Sequence, residues 1–212
     1  MAVKFDIEPA IFKSQVVLDN HELMCMVLDN AVTSLKDLND TESFNFSWND
    51  HRTETFHFTW SYGRYNIFGV TSPTNVFYDL YCELNSIVYD YTGADQLWMQ
   101  SWVNSDPDHS PLIRHHHVWP WHGYITIRPH KTRTIFDDGV SDTQVGKTIF
   151  EIDNEVGNIY IGPGKLFHRV VVDEDYSEDN PRYTIGFDLN HERLRMTNEI
   201  GLMPYPRICL PN

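Results

Sequence analysis

The sequence is short of positive charge. Its 212 residues carry 16 Lys and Arg against 30 Asp and Glu, a formal net charge of -14 at pH 7. A nucleic-acid groove needs a basic face to displace counterions from phosphate, so this balance argues against a polynucleotide partner. Cysteine is scarce as well. Cys25, Cys82 and Cys209 are odd in number and far apart, which argues against a disulfide framework and fits a reducing compartment, each thiol serving as a small buried hydrophobe. No apolar stretch approaches the length of a membrane span. The opening segment MAVKFDIEPAIF lacks the apolar run of a secretion signal, so a cytoplasmic location is expected. Internal repeats and low-complexity tracts are absent too.

What is present is an ordinary apolar fraction of 41% with 14% aromatic residues, enough for one well-buried core in a single domain spanning 1–212. Residues 21–38 put Met24, Val27, Leu28, Ala31, Leu35 and Leu38 on one helical face, with Asn20 as the expected N-cap. A second helix is announced by Ser72-Pro73, carries Phe77, Leu80, Tyr81, Leu84, Ile87, Val88 and Tyr91 at helical spacing, and ends at Gly93. Between them, Thr55–Trp60 alternates with period two, as a half-buried strand does. After Gly93 the chain reads as short strands over 97–103, 123–128, 133–136, 148–152, 157–161, 167–173 and 182–188, separated by Asp-, Gly- and Pro-rich turns. The expected class is mainly β with flanking helices outside a sandwich or barrel. Residues 1–95 form a helical prelude with a β-hairpin region, 96–190 the core, and 191–212 an extended strap.

The chemistry concentrates in Arg114-His115-His116-His117-Val118-Trp119-Pro120-Trp121-His122, where four histidines lie within eight residues just before a good strand. On a strand His115 and His117 share a face, which makes half of a metal site, and His116 points the other way. A solvated loop is the alternative. Gly157 to Val170 reads as strand, glycine turn, strand, with His168 opening the second strand. A jelly roll brings such a strand beside an earlier His-x-His strand. Fourteen residues after His168, Arg182 and Thr184 share one face of the last core strand and offer a guanidinium fork and a hydroxyl to a small carboxylate.

These residues resemble the non-haem iron, 2-oxoglutarate-dependent oxygenases, which use a His-x-Asp/Glu pair, a distal histidine, and an arginine followed two residues on by Ser or Thr. The match runs through Trp102-Val103-Asn104, His115-x-His117, Gly123-Tyr124, Gly157 to His168, and Arg182 through Phe187-Asp188. It covers somewhat under half the chain and is nearest to a branch common in tailed phages and marine bacteria. The resemblance implies a double-stranded β-helix (jelly roll). It also implies Fe(II) held by His115, His117 and His168, and 2-oxoglutarate gripped by Arg182 and Thr184, with Tyr124 as a further hydrogen-bonding group. The substrate would be a small molecule or a protein side chain. His117 stands where the family has a carboxylate, so the site is either a three-histidine set or one completed by an acid such as Asp137 or Asp138. The same segments resemble the cupin pattern, in which His122 becomes a fourth ligand of a dioxygenase or isomerase. A non-catalytic jelly-roll binding or virion protein is the third reading. Trp119, Trp121 and Phe167 form either an apolar wall at the site or core.

Overall fold

The computed structural model describes residues 8–41, 57–58, 66–71, 74–106, 113–141, 143–177, 179–191 and 207–209. The first helix, α1 (Gln15–Thr41), begins earlier than its apolar stripe suggests. Ser14 caps it, its Oγ accepting from the Val17 N–H at 3.1 Å. Asn20, expected as the cap, instead lies at an internal kink with φ -126° and ψ 21°, where its side-chain amide donates to the Val16 carbonyl at 2.9 Å. A short α2 (Ile67–Thr71) precedes α3 (Asn75–Thr92), whose N-cap is Thr74; Ser72-Pro73 lies outside the described residues. Gly93 ends α3 in the left-handed conformation at φ 69°, its N–H donating to the Tyr89 carbonyl at 2.8 Å.

Among the described residues there are ten strands, which follow the periodicities closely where those were clear. They are β1 (Ala10–Lys13), β2 (His57–Phe58), β3 (Gln96–Asp106), β4 (Trp121–Arg128), β5 (Thr132–Asp137), β6 (Thr148–Asp153), β7 (Asn158–Pro163), β8 (Phe167–Val172), β9 (Arg182–Asn190) and β10 (Arg207–Cys209). Of the alternating segment 55–60, residues 57–58 are described and pair with β3. The larger sheet runs β1-β7-β4-β9-β3-β10, and the smaller runs β6-β5-β8. A lone bridge between His115 and His168 adds the histidine segment to the edge of β8. From β3 onward the chain passes to the smaller sheet at His115, back at β4, over at β5 and β6, back at β7, over at β8 and back at β9. This is the double-stranded β-helix, with its two sheets facing rather than joined into a closed barrel.

The larger sheet is covered on both faces, and that explains why β9 is buried along all nine residues. One face takes the helices. Trp121, Ile125, Ile127, Tyr183, Ile185, Phe187 and Leu189 form one core with Met24 and Leu28 of α1 and Phe77, Leu80, Leu84 and Val88 of α3. The other face looks at the smaller sheet across a second, smaller core of Tyr124, Phe136, Ile152 and Tyr160. Strand alternation therefore sends His122, Tyr124 and Thr126 of β4, and Arg182, Thr184, Gly186 and Asp188 of β9, into the space between the sheets. Trp121 belongs to the helix-side core and is no wall of the site. No helix among the described residues is long and apolar enough to cross a membrane.

Candidate metal centre

The His115-x-His117 pair, read as sharing one face of a strand, lies instead in irregular chain held at points. The His115 N–H donates to the His168 carbonyl at 3.0 Å, the His168 N–H returns to the His115 carbonyl at 2.8 Å, and the His117 N–H donates to the Gly164 carbonyl at 2.8 Å. These bonds bring His115, His117 and His168 together, so that one ligand atom from each lies within 4.8 Å of the other two. His116 turns away, exposed against the Phe167 ring at 4.5 Å.

The hydrogen bonds decide which nitrogens face inward. The Nδ1 of His115 donates to the Ile113 carbonyl at 2.7 Å, and that of His168 to the Leu166 carbonyl at 3.2 Å. A carbonyl can only accept, so in each neutral ring Nδ1 carries the proton and Nε2 keeps its lone pair. The His117 Nδ1 donates to Asp188 Oδ2 at 3.0 Å, and the His117 Nε2 is buried with no hydrogen-bond partner. A buried ring nitrogen left without a partner is costly unless something meets it. Three imidazoles held this way suit a borderline transition metal. Ligating histidines ordinarily hold their second nitrogen on a carbonyl or carboxylate, as all three do here.

The electrostatics agree. Burial, then the neighbouring His117, pushes His115 down to about 3. Burial pushes His168 well below the ordinary imidazole value, with His115 adding to it. Both rings are thus neutral and ligand-competent at pH 7.

His122 stands beside this set. Its ring stacks on His117 at 3.7 Å and 7°, and on His168 at 4.9 Å and 15°. Its Nδ1 donates to the other Asp188 oxygen at 2.9 Å. Ligand atoms of His117, His122 and Asp188 form a second compact group. Burial and then His117 hold His122 down at about 4. Trp102 extends the stack, 5.8 Å from His117 and 6.2 Å from His122. Its indole N–H donates to Asn104, whose amide donates to the Thr184 hydroxyl, both at 3.0 Å.

Asp137 and Asp138 do not complete the shell. Asp137 takes both oxygens to Arg114, at 2.7 and 2.8 Å, and Asp138 accepts from the Lys147 N–H. The carboxylate nearest the histidines is Asp188, which sequence reasoning used only as a strand end. Deeper between the sheets, Thr184 and Arg182 follow Asp188 along the same face of β9, at roughly 13 and 20 Å measured along the strand. Tyr124 lies two residues beyond His122, and its hydroxyl donates to Asn154 at 3.2 Å. Burial raises the Tyr124 phenol, while its Thr134 bond and the Arg182 charge pull it back, so the guanidinium lies within electrostatic reach. Thr126, which sequence reasoning missed, pairs across the sheet with Thr184, and its hydroxyl is buried without a hydrogen-bond partner.

No family model matches the sequence. No curated protein matches it either. Among solved structures, the ribosomal oxygenase YcfD from Escherichia coli in complex with cobalt and succinic acid is similar at 10% identity and a TM-score of 0.40, over 55% of this chain and 29% of that one. The non-heme alpha ketoglutarate dependent epimerase SnoN from nogalamycin biosynthesis is similar at 11% identity and a TM-score of 0.41, over 56% of this chain and 58% of that one. The coconut allergen cocosin is similar at 11% identity and a TM-score of 0.32, over 42% of this chain and 21% of that one. The chain thus spans less than two thirds of the length of each.

Proposed function

We propose that this protein is an oxygenase that holds Fe(II) on His115, His117 and His168 and takes 2-oxoglutarate as co-substrate. The observation that carries the reading is the arrangement of ring nitrogens. Each Nδ1 is committed to a carbonyl or carboxylate, and the His117 Nε2 is buried and unsatisfied amid the other two rings. Bound together, Fe(II) and 2-oxoglutarate supply the oxidation of an unactivated C–H bond by dioxygen. The residues of the chain bind and orient. Arg182 and Thr184 grip the distal carboxylate of the co-substrate, and the Thr126 hydroxyl, opposite Thr184, offers it a further hydrogen bond. Tyr124 borders the same space, and Phe136, Ile152 and Tyr160 exclude water from its floor. The substrate, a small molecule or a protein side chain, approaches from the side of His115 and His117, which are less buried than His168.

The test is thermal unfolding with Ni(II) or Fe(II), followed by 2-oxoglutarate or its unreactive analogue N-oxalylglycine. At a hundredfold excess over Kd each ligand is expected to raise Tm by roughly 5–10 °C. Arg182→Gln should keep the metal shift and lose the co-substrate shift. A metal shift without any response to 2-oxoglutarate would reject the oxygenase, and no metal shift at all would leave a non-catalytic jelly roll.

One observation favours a second reading. The His122 ring lies parallel to His117 at 3.7 Å, close enough to swing in as a fourth ligand of a cupin-type metalloenzyme. In that case His122→Ala weakens metal binding and Arg182→Gln changes nothing.

A further inference from the structure

Asp188 lies on the inner face of β9 at 3% exposure. Both of its oxygens are taken by imidazole N–H groups, Oδ2 by His117 at 3.0 Å and Oδ1 by His122 at 2.9 Å. Among the described residues its ion pairs are with these two rings. A carboxylate this deep is costly unless positive charge close by offsets it. The nearest place for a positive charge is the far nitrogen of His117, which is buried and unsatisfied.

We propose that Asp188 is the positioning carboxylate of the metal centre. Through Nδ1 it fixes the His117 ring with Nε2 toward the metal, and through that ring it supplies the negative charge that three imidazoles lack. The inference rests on reading His115, His117 and His168 as metal ligands. It does not depend on what reaction the metal performs. His122, held on the other oxygen and stacked against His117, keeps the carboxylate from rotating. The same geometry implies that the carboxylate and its support can trade places. A glutamate side chain at position 117 reaches about as far as Nε2. An amide at 188 can accept from His122 and donate to the new carboxylate, which leaves every hydrogen bond matched.

The experiment is titration of the full chain with Co(II), followed by visible absorption, with affinities from chelator competition and folding checked by circular dichroism. Asp188→Asn should weaken Co(II) binding by about 10–100-fold and alter the band pattern. Asp188→Glu should recover part of the loss. His117→Glu alone sets two carboxylates face to face and should bind Co(II) no better than Asp188→Asn. The combination His117→Glu/Asp188→Asn should bind more tightly than either single variant. A folded Asp188→Asn protein with wild-type affinity and spectrum would overturn the proposal. So would a double variant no better than the singles, and that comparison decides the matter should Asp188→Asn not fold. If the wild-type chain takes up no Co(II), the three-histidine reading falls and the role of Asp188 with it, an outcome separable from the others.

Discussion

At Gly186 an added carbon strikes the indole that stacks on the site. A Cβ there would stand 2.6 Å from Cε2 and Cζ2 of Trp102, and the indole cannot give way freely because Asn104 holds its N–H. Gly186→Ala is therefore expected to cost roughly 1–3 kcal/mol in chemical denaturation. It should also push Trp102 out of register with His117 and His122. Adding Trp102→Ala should remove most of the clash; if the single variant is as stable as wild type, the close approach is not there. At this scale the histidines were legible because four of them crowd eight residues and His168 follows a glycine turn. Asp188 was not legible. In Ile-Gly-Phe-Asp-Leu it reads as the polar end of a strand, and nothing local says that its partners lie 71 and 66 residues away. Thr126 was missed for the same reason, since a threonine in a strand is ordinary until its cross-strand partner is known.

The element that matters most is the irregular chain leading into His115. Arg114 pins it. Its guanidinium makes a bidentate bond to Asp137 at the end of β5, donates to the Ser141 carbonyl at 2.6 Å, and lies 4.0 Å over the Phe167 ring. The Arg114 bond, assisted by the Gly139 and Gly146 N–H groups, outweighs burial and holds the Asp137 carboxyl at about 2. An unfolded aspartate titrates near 3.9, so the pair stabilises the fold fully above about pH 4 and is lost as pH falls through 2, on the order of 2 kcal/mol in all. Urea unfolding between pH 5 and 2 should show this loss, and Asp137→Asn should flatten it. An unchanged pH slope in the variant would count against the pin. His115-x-His117 was read on a strand because the two histidines alternate, with a loop as the alternative. Held by Arg114 on one side and by Gly164 on the other, it makes one bridge and no ladder. The start of α1 was misplaced for a comparable reason: the apolar stripe begins near Met24, but the cap that sets the helix is Ser14, and Asn20 bonds backward within it. Segment β1 carried no readable signal, because its pairing with β7 bridges about 150 residues and is fixed by the sheet edge rather than by its own sequence.

At the level of the molecule, the mainly β class and the approximate strand positions after Gly93 were readable from period-two patterns and turn residues. The strand order was not, since it is set by which strands bury which face. The larger sheet is covered by helices on one side and by the smaller sheet on the other, which erases polar alternation in β9 and leaves its inward residues to be recognised by chemistry alone. That chemistry divides the molecule into a dry half, where helices meet the sheet, and a half that carries imidazoles, hydroxyls and a guanidinium. The two reciprocal amide bonds between His115 and His168 act as a clasp joining the backbones that bear two of the three rings. A cation bridging those rings would close the clasp from the side-chain end as well. Amide hydrogen exchange at positions 115 and 168 should therefore slow together when Co(II) is added, while exchange in α3, remote from the clasp, stays as it was. Uncoupled protection of the two amides would mean that the segment opens independently of its ligands.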